Sequence, residues 1–498
     1  MPMTLRQTLA VAATATLLPA SLHAAAPEPL ATGATAALVC AGHVRSEDLV
    51  RQALARARAT AGLNAFVTLD EAGALAAARA QDARQGGTCG PLAGVPIVIK
   101  DNIEVAGLPS TAGTPALKTY VPRADAPVAA RLRAAGAVVL GKTNMHELAF
   151  GISGWNPTFQ TGPAPGVRNA YDRRRSAGGS SSGTGAAIGA RVVVAGLGTD
   201  TGGSVRIPCA FNGCASLRPT MGRYPAEGIA PISHTRDTAG PMALSMADVE
   251  LLDRVITGDA AVAPTPLRGV RLGLVKELVA GLDADTQAVF DATLRQLRAA
   301  GVELVEIAAP TLPGLNGAVS FPIAMYEAHD DMVAYLARSG SGVTIGQLAA
   351  AAVSPDVKGT YEALVIPRKL PGPGNTLVDT QPAYEAAMRS GRPALQALYA
   401  DLFRSHRVQA LLFPTVPHVA MRAGPESSSV EVFMGAIRNT DPGSNAGLPG
   451  LQLPGGLGPT TSLPVGLELD GPPGSDRALV GLGLSIERLL GRLPPPRR

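Results

Sequence analysis

Charge is scarce in this chain. Asp, Glu, Lys and Arg make up 16% of its 498 residues, where soluble domains commonly carry about 25%, and the net charge is only +4. No block of Lys and Arg is interleaved with aromatic residues, so a nucleic-acid surface is not expected. The run Arg173-Arg174-Arg175 reads as a solvated loop. Lysine is rarer still, 6 of the 43 basic residues, so a Lys in apolar company stands out. Past the N-terminus no stretch reaches the ~18 uninterrupted apolar residues of a membrane span. Internal repeats are absent, as are low-complexity linkers after residue 40. What is plentiful is glycine, 57 residues, which points to a large core with many tight turns. A length of 498 residues suits one large domain or two or three ordinary ones.

The first 26 residues have the pattern of an export signal. Arg6 gives the charged start, Leu9 to Leu18 the apolar stretch, and Ser21-Leu22-His23-Ala24-Ala25-Ala26 the small-residue cleavage region. Pro27 disfavours a cut directly after Ala26, so the expected signal is residues 1–24 and the mature domain spans 27–498. Export, into a periplasm or the medium, permits disulfides. Four cysteines allow three pairings of two bridges. Cys40 and Cys89 are the better candidates for one; Cys209 and Cys214 lie in a small-residue stretch that reads equally well as buried free thiols.

Hydrophobic periodicity predicts a helix from Ser46, as cap, through Ala59, a strand over Gly94 to Lys100, a helix over Asp125 to Ala135 and a strand over Val138 to Leu140. A polar loop from about Thr161 to Ser176 follows. Farther on, a strand at Val270 to Val275, a helix at Asp285 to Ala300 and a strand at Val302 to Ile307 make a βαβ unit. Ala410 to Phe413 and Leu463 to Leu469 read as further strands. The expected fold is α/β: one large domain on a central mixed sheet with helices on both faces, and a more helical excursion near 320–400.

Three elements carry chemistry. Lys100 ends the apolar run Val95-Pro96-Ile97-Val98-Ile99; alternation puts it on the face of Val98 and sends Asp101 to the other. A Lys drawn into apolar surroundings has its pKa lowered by desolvation, which is what a lysine base needs. The second element is the cluster Gly178-Gly179-Ser180-Ser181-Ser182-Gly183-Thr184-Gly185. The third is Asp200-Thr201-Gly202-Gly203-Ser204-Val205-Arg206, where two glycines before a Ser let successive N–H groups converge on one point. Asp200 and Arg206 flank that turn with opposite charges and could brace it.

The block Gly178 to Thr220, GGSSSGTGAAIGARVVVAGLGTDTGGSVRIPCAFNGCASLRPT, closely resembles the signature of the amidase signature family. GPLAGVPIVIKDNIEVAGLPSTAGT (Gly90 to Thr114) and GKTNMHELAFG (Gly141 to Gly151) resemble that family's upstream blocks. The resemblance implies Lys100 as base, Ser180 as bridging residue on a cis peptide, and Ser204, 24 positions on, as nucleophile. It also implies an oxyanion hole from the backbone of Thr201, Gly202 and Gly203, with Ser181, Asp200 and Arg206 in support. One departure is Ser182-Gly183-Thr184, where many members carry Gly-Gly after the paired serines. The segments Ile437 to Pro454 and Leu463 to Leu479 look most like mandelamide and indoleacetamide hydrolases. That implies a small primary amide with an aryl or apolar acyl group, and a pocket to which Phe321, Met325, Tyr326, Thr440 and Asn445 could contribute. Ile323 belongs to the same apolar stretch.

Other motif matches fail on context. Gly136 to Thr143 fits the P-loop pattern, but a helix precedes its first Gly and a strand occupies its middle. Gly179 to Gly183 fits the nucleophile elbow of α/β-hydrolases with Ser181 as nucleophile, yet the segment before it is polar rather than a strand. A His-based esterase would have to draw on His234, His329, His406 or His418, none in a distinctive motif. His146-Glu147 lacks a second His at 150, which is Phe, and His146 reads as a buried or cap histidine. No metal or cofactor is expected. The expected partner is a small amide, with no stable membrane insertion once the signal is removed and a homodimer left open. The rival readings are an exported hydrolase of peptide C-terminal or larger acyl amides, an amidotransferase A-like subunit, and an inactive binding protein on the same scaffold.

Overall fold

Short apolar runs become the strands of one sheet, and longer amphipathic segments become the helices that cover it. The computed structural model describes residues 31–84, 89–159 and 165–497; the expected signal segment lies outside them. In chain order the strands are β1 (Phe66–Leu69), β2 (Pro96–Lys100), β3 (Val138–Thr143), β4 (Ala195–Asp200), β5 (Ala215–Arg218), β6 (Thr238–Ala243), β7 (Arg271–Val275), β8 (Glu303–Ile307), β9 (Lys369–Pro371), β10 (Leu377–Asp379), β11 (Ala410–Pro414), β12 (Gly450–Leu457) and β13 (Pro464–Asp470).

Eleven of these form a mixed sheet in the order β1-β3-β2-β4-β6-β5-β12-β13-β11-β7-β8; β9 and β10 make a separate hairpin. The pairs β2/β3, β2/β4, β7/β8 and β7/β11 are parallel and the rest antiparallel. The fold is therefore the single-domain α/β arrangement expected, and the βαβ unit is present as β7, the helix Ala284–Ala299 and β8. Strands β2, β3 and β4 are buried along their whole length, so their apolar residues run on without alternation.

Helix ends follow local chemistry. Ser245 and Asp283 cap their helices by accepting N–H bonds from Asp248 and Thr286. Ser46 is different. The helix Ser46–Ala59 begins at Ser46 itself, and its hydroxyl donates to Gly94 O at 2.8 Å instead of capping, because Asp82 already accepts the Ser46 and Glu47 N–H groups. From Leu312 to His406 the chain is mainly helical, interrupted by the β9/β10 hairpin.

Cys40 and Cys89 are bridged, and so are Cys209 and Cys214. The second bridge corrects the free-thiol expectation. Gly213 turns the chain at φ 67° directly after the helix Arg206–Asn212, which returns Cys214 to within 4.5 Å of Cys209, Cα to Cα, inside disulfide range. Among the described residues no helix is long and apolar enough to cross a membrane.

Candidate active site

Strand β2 delivers Lys100 into the protein interior, fully buried. Its Nζ donates to Ser180 Oγ at 2.8 Å and to Thr199 Oγ1 at 2.6 Å. Thr199, on the neighbouring strand β4, is in turn held by Asn102 Nδ2 at 3.1 Å. Burial brings the Lys100 pKa down to about 7, against the opposing pull of Asp200 and Asp237. Asp101 points away, as alternation requires, and pairs with Lys142 at 3.5 Å, both fully buried.

Ser180 follows a cis Gly179–Ser180 bond and precedes the helix Ser182–Gly189. His146 N–H donates to the Ser180 carbonyl at 3.2 Å, and Ser181 N–H to the Ser204 carbonyl at 3.1 Å. The backbones of the two serine segments are thus joined. Ser181 Oγ bonds both the carbonyl and the N–H of Thr199, so it fixes the residue that shares Lys100. Glycines allow this closeness: a Cβ at Gly183 would lie 2.2 Å from Ala65 O, and one at Gly185 2.9 Å from Pro208 Cβ. At the departure from the usual Gly-Gly, Thr184 Oγ1 bonds Thr143 Oγ1 at 2.7 Å.

Ser204 sits after Gly203, whose φ of 135° is closed to most side chains. Its hydroxyl makes no hydrogen bond to the described residues and opens onto a cavity, so the Ser180–Ser204 bond of a relay is not formed in this state. The turn is braced from behind by Asp200. That carboxylate accepts Gly203 N–H at 2.8 Å and Val205 N–H at 3.1 Å, and is gripped by Arg206 and Arg218. Burial would raise its pKa, yet the two guanidiniums hold it far below the carboxylate range. Arg206 also pairs with Glu468. Because Asp200 takes the Gly203 N–H, that donor is engaged. The N–H groups of Thr201, Gly202 and Ser204 in this turn make no bond to the described residues. Arg218 was not among the sequence candidates. It lies on β5, apolar on either side, and nothing in the linear pattern ties it to Asp200.

The cavity in front of Ser204 encloses about 140 Å³. Phe321 and Met325 line it, together with Phe150, Ile152, Ile232 and Phe433. Three expected wall residues do other work. Tyr326 stacks on Tyr384, ring centres 4.0 Å apart, under the Arg368 guanidinium. Thr440 donates to Gly202 O at 2.6 Å, and Asn445 donates to Asp441 and Asn316. Ile323 is in the core, fully buried. The wall's charged members are Arg236, Asp441 and Asp356. The first two form an ion pair. Asp441, next to Thr440, and Phe150, in the block Gly141 to Gly151, fall in segments singled out by sequence; Ile232, Asp356 and Phe433 come from three distant segments and left no linear signal.

Among the described residues His234, Glu327 and Asp331 form the one group with metal-compatible spacing. Their carboxylates already accept from Ser233, Thr235, Tyr384 and His234. Among the described residues His329, His406 and His418 make no hydrogen bond to Ser204 or Ser181.

A buried lysine bonded to one serine, with a second serine on a tight glycine turn facing a cavity, defines an amide-hydrolysing enzyme. The family described as Amidase matches residues 48–480, and the chain belongs to it. It is 45% identical over 464 residues to the mandelamide hydrolase of Pseudomonas putida, covering 93% of this chain and 92% of that one. Against the indoleacetamide hydrolase of Agrobacterium vitis it is 41% identical, covering 89% and 93%. In three dimensions it resembles the native peptide amidase of Stenotrophomonas maltophilia, with a TM-score of 0.79 and 29% identity over 94% of this chain and 98% of that one.

Proposed function

We propose that this amidase hydrolyses small primary amides with an aryl or apolar acyl group, releasing the carboxylate and ammonia. The observation that carries the reading is the Lys100 Nζ–Ser180 Oγ hydrogen bond placed behind a Ser204 that faces an apolar-walled cavity. In this mechanism neutral Lys100 takes the proton of Ser180, Ser180 takes that of Ser204, and Ser204 Oγ attacks the amide carbonyl. The carbonyl π pair moves to oxygen, and the oxyanion is held by the free N–H groups of the Thr201–Ser204 turn, each such donor being worth about 3 kcal/mol. The relay then returns a proton to the leaving nitrogen as the C–N bond breaks. Water then loses a proton to Ser180, and through it to Lys100, as it attacks the acyl carbon; the relay returns a proton to Ser204 Oγ as the C–O bond breaks and the acid leaves.

A cavity of about 140 Å³ matches the space, roughly 150 Å³, that takes up a benzene ring. The mandelamide and indoleacetamide hydrolases among its relatives favour the aryl reading. The peptide amidase keeps a second class in view, amides of peptide C-termini. We further propose that the chain is exported and loses residues 1–24. Two disulfides suit an oxidising compartment.

The substrate reading is tested with purified protein on mandelamide, indoleacetamide, phenylacetamide, propionamide and a dipeptide amide. The aryl amides should lead in kcat/KM. A tenfold or greater lead for the dipeptide amide would overturn the substrate class and leave the amidase assignment in place.

A further inference from the structure

Three charged side chains line the cavity that holds Ser204, and two of them neutralise each other. Arg236 Nη2 pairs with Asp441 Oδ1, and the other Asp441 oxygen accepts from Asn316 and Asn445. The third, Asp356, is different. It is carried on the short helix Pro355–Thr360, whose Thr360, one turn on, also faces the cavity. Its Oδ2 is 2.9 Å from His146 Nε2. Its Oδ1 is closed off and meets no donor at hydrogen-bond geometry, while the side chain as a whole keeps 22% of its surface open. The His146 ring is fixed in turn: Nδ1 lies 3.3 Å from Ser153 Oγ, the ring is fully buried, and its main-chain N–H holds the Ser180 carbonyl. An imidazole carries charge only when protonated, so Asp356 is the wall's carboxylate without a permanent cationic partner.

We propose that Asp356 is a substrate-binding residue whose carboxylate, in the wall of this cavity, accepts a hydrogen bond from an O–H or N–H donor on the acyl group of the amide. The inference rests on the assignment of this cavity as the acyl pocket and deepens it: apolar walls take the body of the acyl group, and one carboxylate selects for a donor on it. A cationic donor gains more than a neutral one, because a charge-assisted bond is stronger. A site built to pair with a donor discriminates against the analogue lacking it, since the acceptor is then left unmatched.

The test measures kcat/KM ratios on full-length enzyme. Phenylglycinamide (ammonium) and mandelamide (hydroxyl) are each compared with phenylacetamide, which lacks the donor. Alaninamide against propionamide repeats the comparison without a ring. The wild-type protein should favour the donor-bearing member of each pair. Asp356→Asn, which keeps the size and an acceptor but loses the charge, should cut the ammonium preference at least tenfold and the hydroxyl preference less. Asp356→Ser, which withdraws the acceptor, should cut both and serves if the first variant fails to fold. Ratios within threefold of wild type in a folded variant overturn the proposal, as does an equal loss on all five amides, the mark of a purely structural role. A failure of the aryl reading looks different: low turnover of all three aryl amides, with the alaninamide to propionamide ratio still reporting on Asp356.

Discussion

Lys100 can act as a base only when it is neutral, and its position makes that state accessible. An ordinary lysine is neutral about one time in a thousand near pH 7.4; one whose pKa is down to about 7 is neutral most of the time. Activity should therefore rise with pH and reach half its plateau near pH 7 in a kcat/KM profile. A bell centred below pH 6 would contradict this. Stability follows the same residue. Between about pH 7 and 10.5 the unfolded chain keeps the Lys100 proton that the folded chain has released, so the Lys100 contribution to stability rises with pH across that window. Lys100→Met should flatten that slope in urea unfolding while abolishing turnover. Ser204→Ala should lower kcat by about 10⁴-fold or more, and Ser181→Ala by much less, since Ser181 reaches Lys100 only through Thr199.

At the level of elements, the two serine segments meet because the glycine-rich helix Ser182–Gly189 packs closely on the helix Arg206–Asn212. Gly185→Val would drive a side chain into Pro208, whose Cβ and O lie 2.9 and 3.0 Å from the added Cβ. It should cost about 3 kcal/mol in stability and lower kcat more than KM, because Ser180 and Ser204 move apart; a variant with wild-type kcat and Tm would refute the packing account. Much of this was legible in the sequence. The strand ending in Lys100, the Gly/Ser cluster and the turn before Ser204 each rest on a local rule: alternation, backbone freedom, converging N–H groups. The acyl wall was half legible. Phe321 and Met325 share a helix face, whereas Tyr326, one residue on, is turned to Tyr384. Thr199 and Arg218 were illegible because their roles depend on which strands become neighbours, and β4 beside β2, or β5 beside β6, is a long-range outcome.

For the molecule as a whole, the two disulfides should separate stability from activity. Closing the 49-residue span between Cys40 and Cys89 is worth about 4 kcal/mol by loop entropy, against about 2 kcal/mol for the five-residue span of Cys209–Cys214. Replacing the first pair by Ser should lower the urea midpoint more. Replacing the second should lower kcat more, since its helix begins two residues after Ser204. Reversal of that ranking would show that the bridges do not act in this way. N-terminal sequencing of protein from its own host should find a start near Ala25; an intact Met1 on mature enzyme would refute export. The order of strands has a consequence for biosynthesis. All six strands from β1 to β6 lie on one side of the β5/β12 junction, and β7, β8, β11, β12 and β13 on the other. A ribosome making about 5–20 residues per second takes roughly 10–40 s to cover the stretch from Ala243 to Gly450. Throughout that interval the nascent chain already holds Lys100, Ser180 and Ser204, while the outer edge of β5 has no partner. An unpaired edge invites pairing with another chain, so a truncated product ending near residue 260 would carry all three residues of the proposed relay and be prone to aggregate.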